Sequence, residues 1–232
     1  MKTAMILAAG RGERLRPLTD HVPKPLIKLN HQPLIAHHLT HLAQAGYQRV
    51  IINHAYLGGQ IKQFIQQHDT QGLEIIFSPE PPGALETGGG ILNVLPILGK
   101  EPFITLNGDI YTDYNLKNLM LPTKSLAHVI LVNKPSYRET GDYGLSPHGV
   151  LNNTDKNYIF SGVTVYHPDF FKHATTGRYS VTPMMRQFAE HQSITGELYH
   201  GLWFDIGSLE QLALAEKTLG SIDNTLAERT SS

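Results

Sequence analysis

The first 25 residues constrain this chain most. A short apolar run, residues 4–8, reads as a buried strand and passes directly into AAGRGERLRPLTDHVPKP, residues 8–25. That stretch packs two glycines, three arginines, one lysine and three prolines into eighteen residues. Prolines and charges in that density do not suit a core helix or strand. They suit a loop leaving the end of a strand, where backbone N–H groups and cations surround phosphate oxygens.

Behind this loop the pattern alternates. Residues 26–29 form a short extended piece, closed by Asn30-His31-Gln32. Pro33 stands at a first helical turn, apolar residues recur at helical spacing from Leu34 to Ala45, and Gly46 is a stop. Residues 49–53 read as a strand, 57–68 as a helix and 73–77 as a strand. A Pro/Gly-rich segment, 78–90, interrupts, followed by a helix over 91–98 that Pro96 should end. Residues 103–106 form a strand that terminates in Asn107-Gly108-Asp109.

The second half is less regular. Strands are predicted at 127–132, 158–166 and 197–202, a hairpin at 142–150 and a helix at 183–191. A last helix is capped by Ser208 and runs through Leu219. The pattern predicts an α/β fold: a Rossmann-like mixed, mostly parallel sheet with helices on both faces. Residues 1–220 make one domain, and the polar tail, 221–232, is expected to fray.

Composition narrows the function. The 232 residues carry a formal net charge of −1, which argues against non-specific nucleic-acid binding. There is no cysteine, so disulfides, thiolate metal sites and a cysteine nucleophile are excluded. No apolar run approaches the roughly 20 residues of a membrane span, and the N-terminal run is too short for a signal peptide. A cytoplasmic protein is expected.

Several phosphate-loop patterns fail. No G-x-x-x-x-G-K-[ST] string occurs, and Gly10 and Gly12 are followed by Leu15 where a dinucleotide fingerprint needs its third glycine. The two glycines alone support no more than a tight turn. Asp109, after FITLNG, and Asp205, in WFDIGS, are abrupt acidic residues at the ends of apolar runs, where α/β proteins place ligands; turn and cap roles are the alternative. Asp113 is the understudy to Asp109. Among the thirteen histidines, His37 and His41 share a helix face, but no H-E-x-x-H motif accompanies them, and solvated helix histidines are expected.

The whole stretch A-A-G-x-G-x-R-L-x-P-L-T with P-K-P resembles the signature of the sugar-1-phosphate nucleotidyltransferases. Within that family the chain is similar to the group acting on N-acetylmuramate 1-phosphate. The similarity runs nearly end to end, through INHAYLG, PLETGGG as ALETGGG, NGD with T-DY, FSG and the terminal W-x-D-x-G-x-L-E-x-L. The resemblance implies that Arg14 and Lys24 contact phosphates, with Arg11 and Arg16 auxiliary or on the surface. Ala8, Ala9, Gly10 and Gly12 would form the nucleotide loop, and Glu86, Gly88 and Gly89 would receive base and ribose. Asp109 and Asp205 would hold Mg²⁺. Asn107, Asp142, Ser161 and Gly162 would bind the sugar, although no Glu-Glu-Lys-Pro run precedes Tyr158 and Asp155-Lys156 is only a partial stand-in. The implied substrates are UTP and a sugar 1-phosphate. Guanylyl transfer to mannose 1-phosphate, thymidylyl transfer to glucose 1-phosphate, and a non-catalytic nucleotide sensor are the rival readings.

Overall fold

The computed structural model describes residues 1–136 and 138–230, with side chains only up to residue 222. In chain order the elements are β1 (Thr3–Leu7), the hairpin β2 (Lys28–Leu29) and β3 (Gln32–Pro33), α1 (Leu34–Gln44), β4 (Arg49–His54), α2 (Gly58–Gln67), β5 (Glu74–Pro79) and α3 (Glu86–Leu98). Then follow β6 (Phe103–Asn107), β7 (Ile110–Thr112), β8 (Ala127–Asn133), the hairpin β9 (Gly144–Leu145) and β10 (Leu151–Asn152), and β11 (Tyr158–Tyr166). The chain closes with α4 (Thr182–Glu190), β12 (Ile194–Tyr199), β13 (Trp203–Asp205) and α5 (Leu209–Thr230).

Seven strands form one sheet in the order β12-β8-β11-β6-β1-β4-β5. β11 is antiparallel to both its neighbours; every other pairing in this sheet is parallel. The expected mixed, mostly parallel sheet is therefore present. Strand alternation splits the core in two. Ala4, Ile6, Val50, Ile52, Ile104 and Leu106 pack against α1 and α2, while Met5, Ile51, Phe103 and Val129 pack against α3 and α4. Burying each large aliphatic side chain contributes about 1.5–3 kcal/mol, and both faces of the sheet gain from it.

The progression of strand order reverses beside β1. The connection from β1 leads to β4 on one side, whereas β6 lies on the other side and leads on to β8. The crevice beyond the carboxyl ends of β1 and β6 is thus the switch point where ligands bind in such sheets. It carries the first loop and the Asn107–Asp109 turn.

Three boundaries depart from the periodicity. Helix α3 begins at Glu86, not at Ile91, and Pro96 lies inside it. Its early start follows from long-range bonds. Glu80 Oε2 accepts the Leu85 N–H at 2.7 Å, and the Tyr179 carbonyl accepts the N–H groups of Gly88 and Gly89 at 3.0 and 3.2 Å. Donors that a helix N-terminus leaves unsatisfied are met by a segment ninety residues away in sequence, which a glycine-poor propensity scale does not register. The strand expected at 197–202 is instead two strands, β12 and β13. α5 runs past Leu219 to Thr230, and side chains from residue 223 onward lie outside the described residues.

Candidate active site

The first loop is built around Lys24. Gly12 sits at φ +71°, and a Cβ there would lie 3.1 Å from Lys24 Cβ and 3.1 Å from Thr19 Cγ2. Thr19 Oγ1 donates to the Gly12 carbonyl at 2.8 Å, closing the loop on itself. Lys24 is only 8% exposed, and its Nζ donates to Asp109 Oδ2 at 2.5 Å. A buried ammonium needs such a partner.

Asp109 and Asp205 are brought together by backbone pairing. Asp205 stands opposite Ile110 in the antiparallel β7–β13 ladder, and the Ile206 N–H donates to the Asp109 carbonyl at 2.9 Å. Burial raises the Asp205 pKa, and the negative charge of Asp109 raises it further; Lys24, Arg14 and Arg138 oppose the rise. Two partly buried carboxylates that repel one another suit a shared divalent cation. Mg²⁺ takes one or two carboxylates and completes its shell with phosphate oxygens and water, so this donor set fits it. Among the described residues no larger cluster of acidic or imidazole groups competes as a metal site.

Two pockets meet at this point. A cleft of about 980 Å³ is lined by Ala8, Ala9, Gly10, Lys24, Glu86, Asn107 and Asp109 among others. A second pocket of about 250 Å³ is lined by Arg14, Asn107, Asp109, Asp142, Ser161 and Asp205 among others. Asn107 and Asp109 line both. Arg14 faces the smaller pocket: a Cβ on Gly207 would lie 2.8 Å from its guanidinium. Ser161 and Gly162 lie at a register shift of β11, with Gly162 at φ +87° against the Asn107 side chain. Trp203 Nε1 donates to the Ser161 carbonyl at 2.7 Å, tying the W-x-D-x-G run to FSG. Asp142 Oδ2 accepts the Phe160 N–H at 3.0 Å.

Gly88 and Gly89 do not line the cleft. A Cβ on Gly88 would lie 2.3 Å from the Tyr179 ring, and one on Gly89 would lie 2.1 Å from the Gly177 carbonyl oxygen. Their missing side chains admit the segment 177–179, and their N–H groups are already engaged by Tyr179. Close approach of a base to these two backbones, the sequence expectation, therefore meets occupied space. Glu86 lines the cleft at φ +59°, a left-handed conformation that a residue with a Cβ adopts less readily than glycine.

Other expectations shift. Arg16 pairs with Asp20 at 3.2 Å near the surface, but Arg11 lines the larger cleft and lies 4.1 Å over the Tyr56 ring. Asp113 is no understudy; it accepts the Leu202 N–H at 2.8 Å and the Tyr199 hydroxyl, and lines neither pocket. His37 and His41 are half-buried, not solvated, and His37 Nε2 donates to the Leu29 carbonyl at 3.0 Å.

Sequence reasoning missed Asn53 and Glu80. Asn53 Oδ1 accepts the Ala8 N–H at 2.7 Å, and its Nδ2 donates to Glu80 Oε1 at 2.7 Å. With the Glu80–Leu85 bond this network joins the first loop to the start of α3. Asn53 lies within the quoted INHAYLG run, so its position at the end of a strand was a usable signal. Arg178, paired with Glu86 at 3.3 Å, and Arg138, in the smaller pocket, carried no signal because distant loops bring them in.

A parallel-sheet switch point, a glycine–arginine loop and two neighbouring aspartates come together here. The chain belongs to the nucleotidyl transferase family, whose sequence model matches residues 3–221. One relative is the N-acetylmuramate alpha-1-phosphate uridylyltransferase of Neisseria meningitidis serogroup B, 40% identical over 227 residues, spanning 94% of this chain and 98% of the relative. The protein of the same name from Caulobacter vibrioides is 30% identical over 234 residues, spanning 94% and 97%. The solved structure of HddC from Yersinia pseudotuberculosis with GMP-PN superposes with a TM-score of 0.79 at 21% identity, covering 94% of this chain and 100% of that one, which supports the fold.

Proposed function

We propose that this enzyme transfers UMP from UTP to N-acetylmuramic acid 1-phosphate, giving UDP-N-acetylmuramic acid and pyrophosphate. We place the reaction in the cytoplasm, in peptidoglycan recycling, with Mg²⁺ as cofactor. The observation that carries the reading is the meeting of two pockets at Asn107 and Asp109, beside Asp205 and Lys24. A triphosphate fits the larger cleft and a sugar 1-phosphate the smaller, so the reacting phosphates meet where the pockets join. The choice of uridylyl and muramyl substrates is supported by the relatives at 40% and 30% identity.

An oxygen of the sugar phosphate attacks the α-phosphorus in line while pyrophosphate leaves. A phosphate monoester is mostly ionised near neutral pH, so no general base is required. Asp109 and Asp205 would hold Mg²⁺, which when bound neutralises the charge gathered on both phosphates. Lys24 keeps Asp109 neutralised in the free enzyme and offers the same ammonium to phosphoryl oxygens. Arg14 supplies a planar fork suited to the sugar phosphate.

Asp109→Asn preserves volume and removes the charge. It should lower Mg²⁺-dependent kcat/KM more than about 100-fold (about 2.7 kcal/mol), with an unchanged far-UV spectrum. Turnover within about tenfold of wild type would remove Asp109 from the metal site.

A further inference from the structure

Two arginines, Arg14 and Arg138, line the smaller pocket beside three aspartates, Asp109, Asp142 and Asp205. Arg14 belongs to the first loop and lies against Gly207, next to Asp205. Arg138 comes from elsewhere, the connection between β8 and β9. Its ion pair with Asp142 is loose: Nη1 lies 3.6 Å from Oδ2, and that oxygen already accepts the Phe160 N–H at 3.0 Å. A guanidinium has five donors in a planar fork, and this contact makes poor use of them. Pro135, Ile110, Ile159 and Phe160 contribute apolar groups to a lining that is otherwise polar and acidic.

We infer that Arg138 recognises a second anionic group of the acceptor, a carboxylate carried on the sugar ring, and so selects an acidic sugar 1-phosphate over a neutral one. The inference rests on the sugar-phosphate reading given above and names the chemistry of its acceptor end. Guanidinium and carboxylate match as a bidentate pair. N-acetylmuramate differs from N-acetylglucosamine by a lactyl ether, which supplies the carboxylate. A neutral sugar leaves Arg138 with Asp142 alone. Arg14, beside Asp205, then serves the phosphate and Arg138 the carboxylate of the sugar.

The test compares UTP-dependent kcat/KM for N-acetylmuramate 1-phosphate and N-acetylglucosamine 1-phosphate in wild type, Arg138→Met and Arg138→Lys. Arg138→Met should lower the value for the muramate roughly 10- to 100-fold, mainly through KM, as loss of a charge-assisted contact does. The value for the glucosamine should fall far less, so the preference collapses, and lysine should recover part of it. The KM for UTP reports whether the fold survived. An unchanged preference overturns the inference. So does an equal fall for both sugars, which would assign Arg138 to the phosphate. A wild type that uses both sugars equally well also overturns it, whereas a wild type that makes no product from either refutes the proposed function itself.

Discussion

Single side chains here do work that their neighbours in sequence do not reveal. His38, on α1, is 3% exposed and hydrogen-bonds the backbone of Asn107, one of the two residues shared by both pockets. Burial first, then the nearby His41 and His37, push its pKa down to about 3, with Asp109 and the Asn107 bond opposing. The unfolded chain therefore takes up a proton as pH falls below about 6.5, while the folded ring stays neutral until about 3. The unfolded state binds more protons across that window, so stability is lost as pH falls, by about 1.4 kcal/mol per pH unit. Urea unfolding at about pH 6 and pH 4.5 should show wild type losing about 2 kcal/mol more than His38→Gln over that interval. Parallel losses would show that the ring is not held neutral. Lys24 and Asp109 were legible because each sits in a string with few other uses. His38 read only as one apolar-face position among several, and Arg138 read as nothing, since its meaning depends on a loop that folds back onto β11.

At the scale of elements, α3 shows how packing overrides propensity. Three consecutive glycines would end most helices, yet Gly88, Gly89 and Gly90 are buried within one because the segment 177–179 and Glu80 occupy the space beside them. That segment also carries Arg178 to the cleft. Gly89→Ala drives a methyl toward a backbone carbonyl at 2.1 Å, which cannot step aside as a side chain can. It should destabilise the protein by about 1–3 kcal/mol and raise the KM for UTP. Gly59→Ala, in α2 with nothing within 4 Å, should instead be neutral or stabilise by up to about 1 kcal/mol. Chemical denaturation of both variants checks the contrast, and equal effects would mean that the segment does not brace α3. Local signals located nearly every strand and helix in the first half. They misplaced the start of α3 because its caps come from a distant part of the chain.

For the whole molecule, function follows from how two halves of the chain share one turn. The early β-α-β-α-β run supplies the first loop and the larger cleft. β11, β13 and the β8–β9 connection supply the smaller pocket. They meet at Asn107–Asp109, where β6 ends. The parallel first half was readable from its alternating periods. The antiparallel insertion of β11 and the pairing of β13 with β7 were not, because neither is a local property of sequence. The rival substrate pairs share the phosphate machinery, so base and sugar identity must be decided at the far ends of the two pockets. The most direct test measures pyrophosphate release for each nucleoside triphosphate against the 1-phosphates of N-acetylmuramate, N-acetylglucosamine, mannose and glucose in Mg²⁺, with products identified by mass. UTP with N-acetylmuramate 1-phosphate should lead every other pair by at least about tenfold in kcat/KM, about 1.4 kcal/mol. A lead by GTP with mannose 1-phosphate or dTTP with glucose 1-phosphate would contradict the account, as would UTP binding with no pyrophosphate released from any pair.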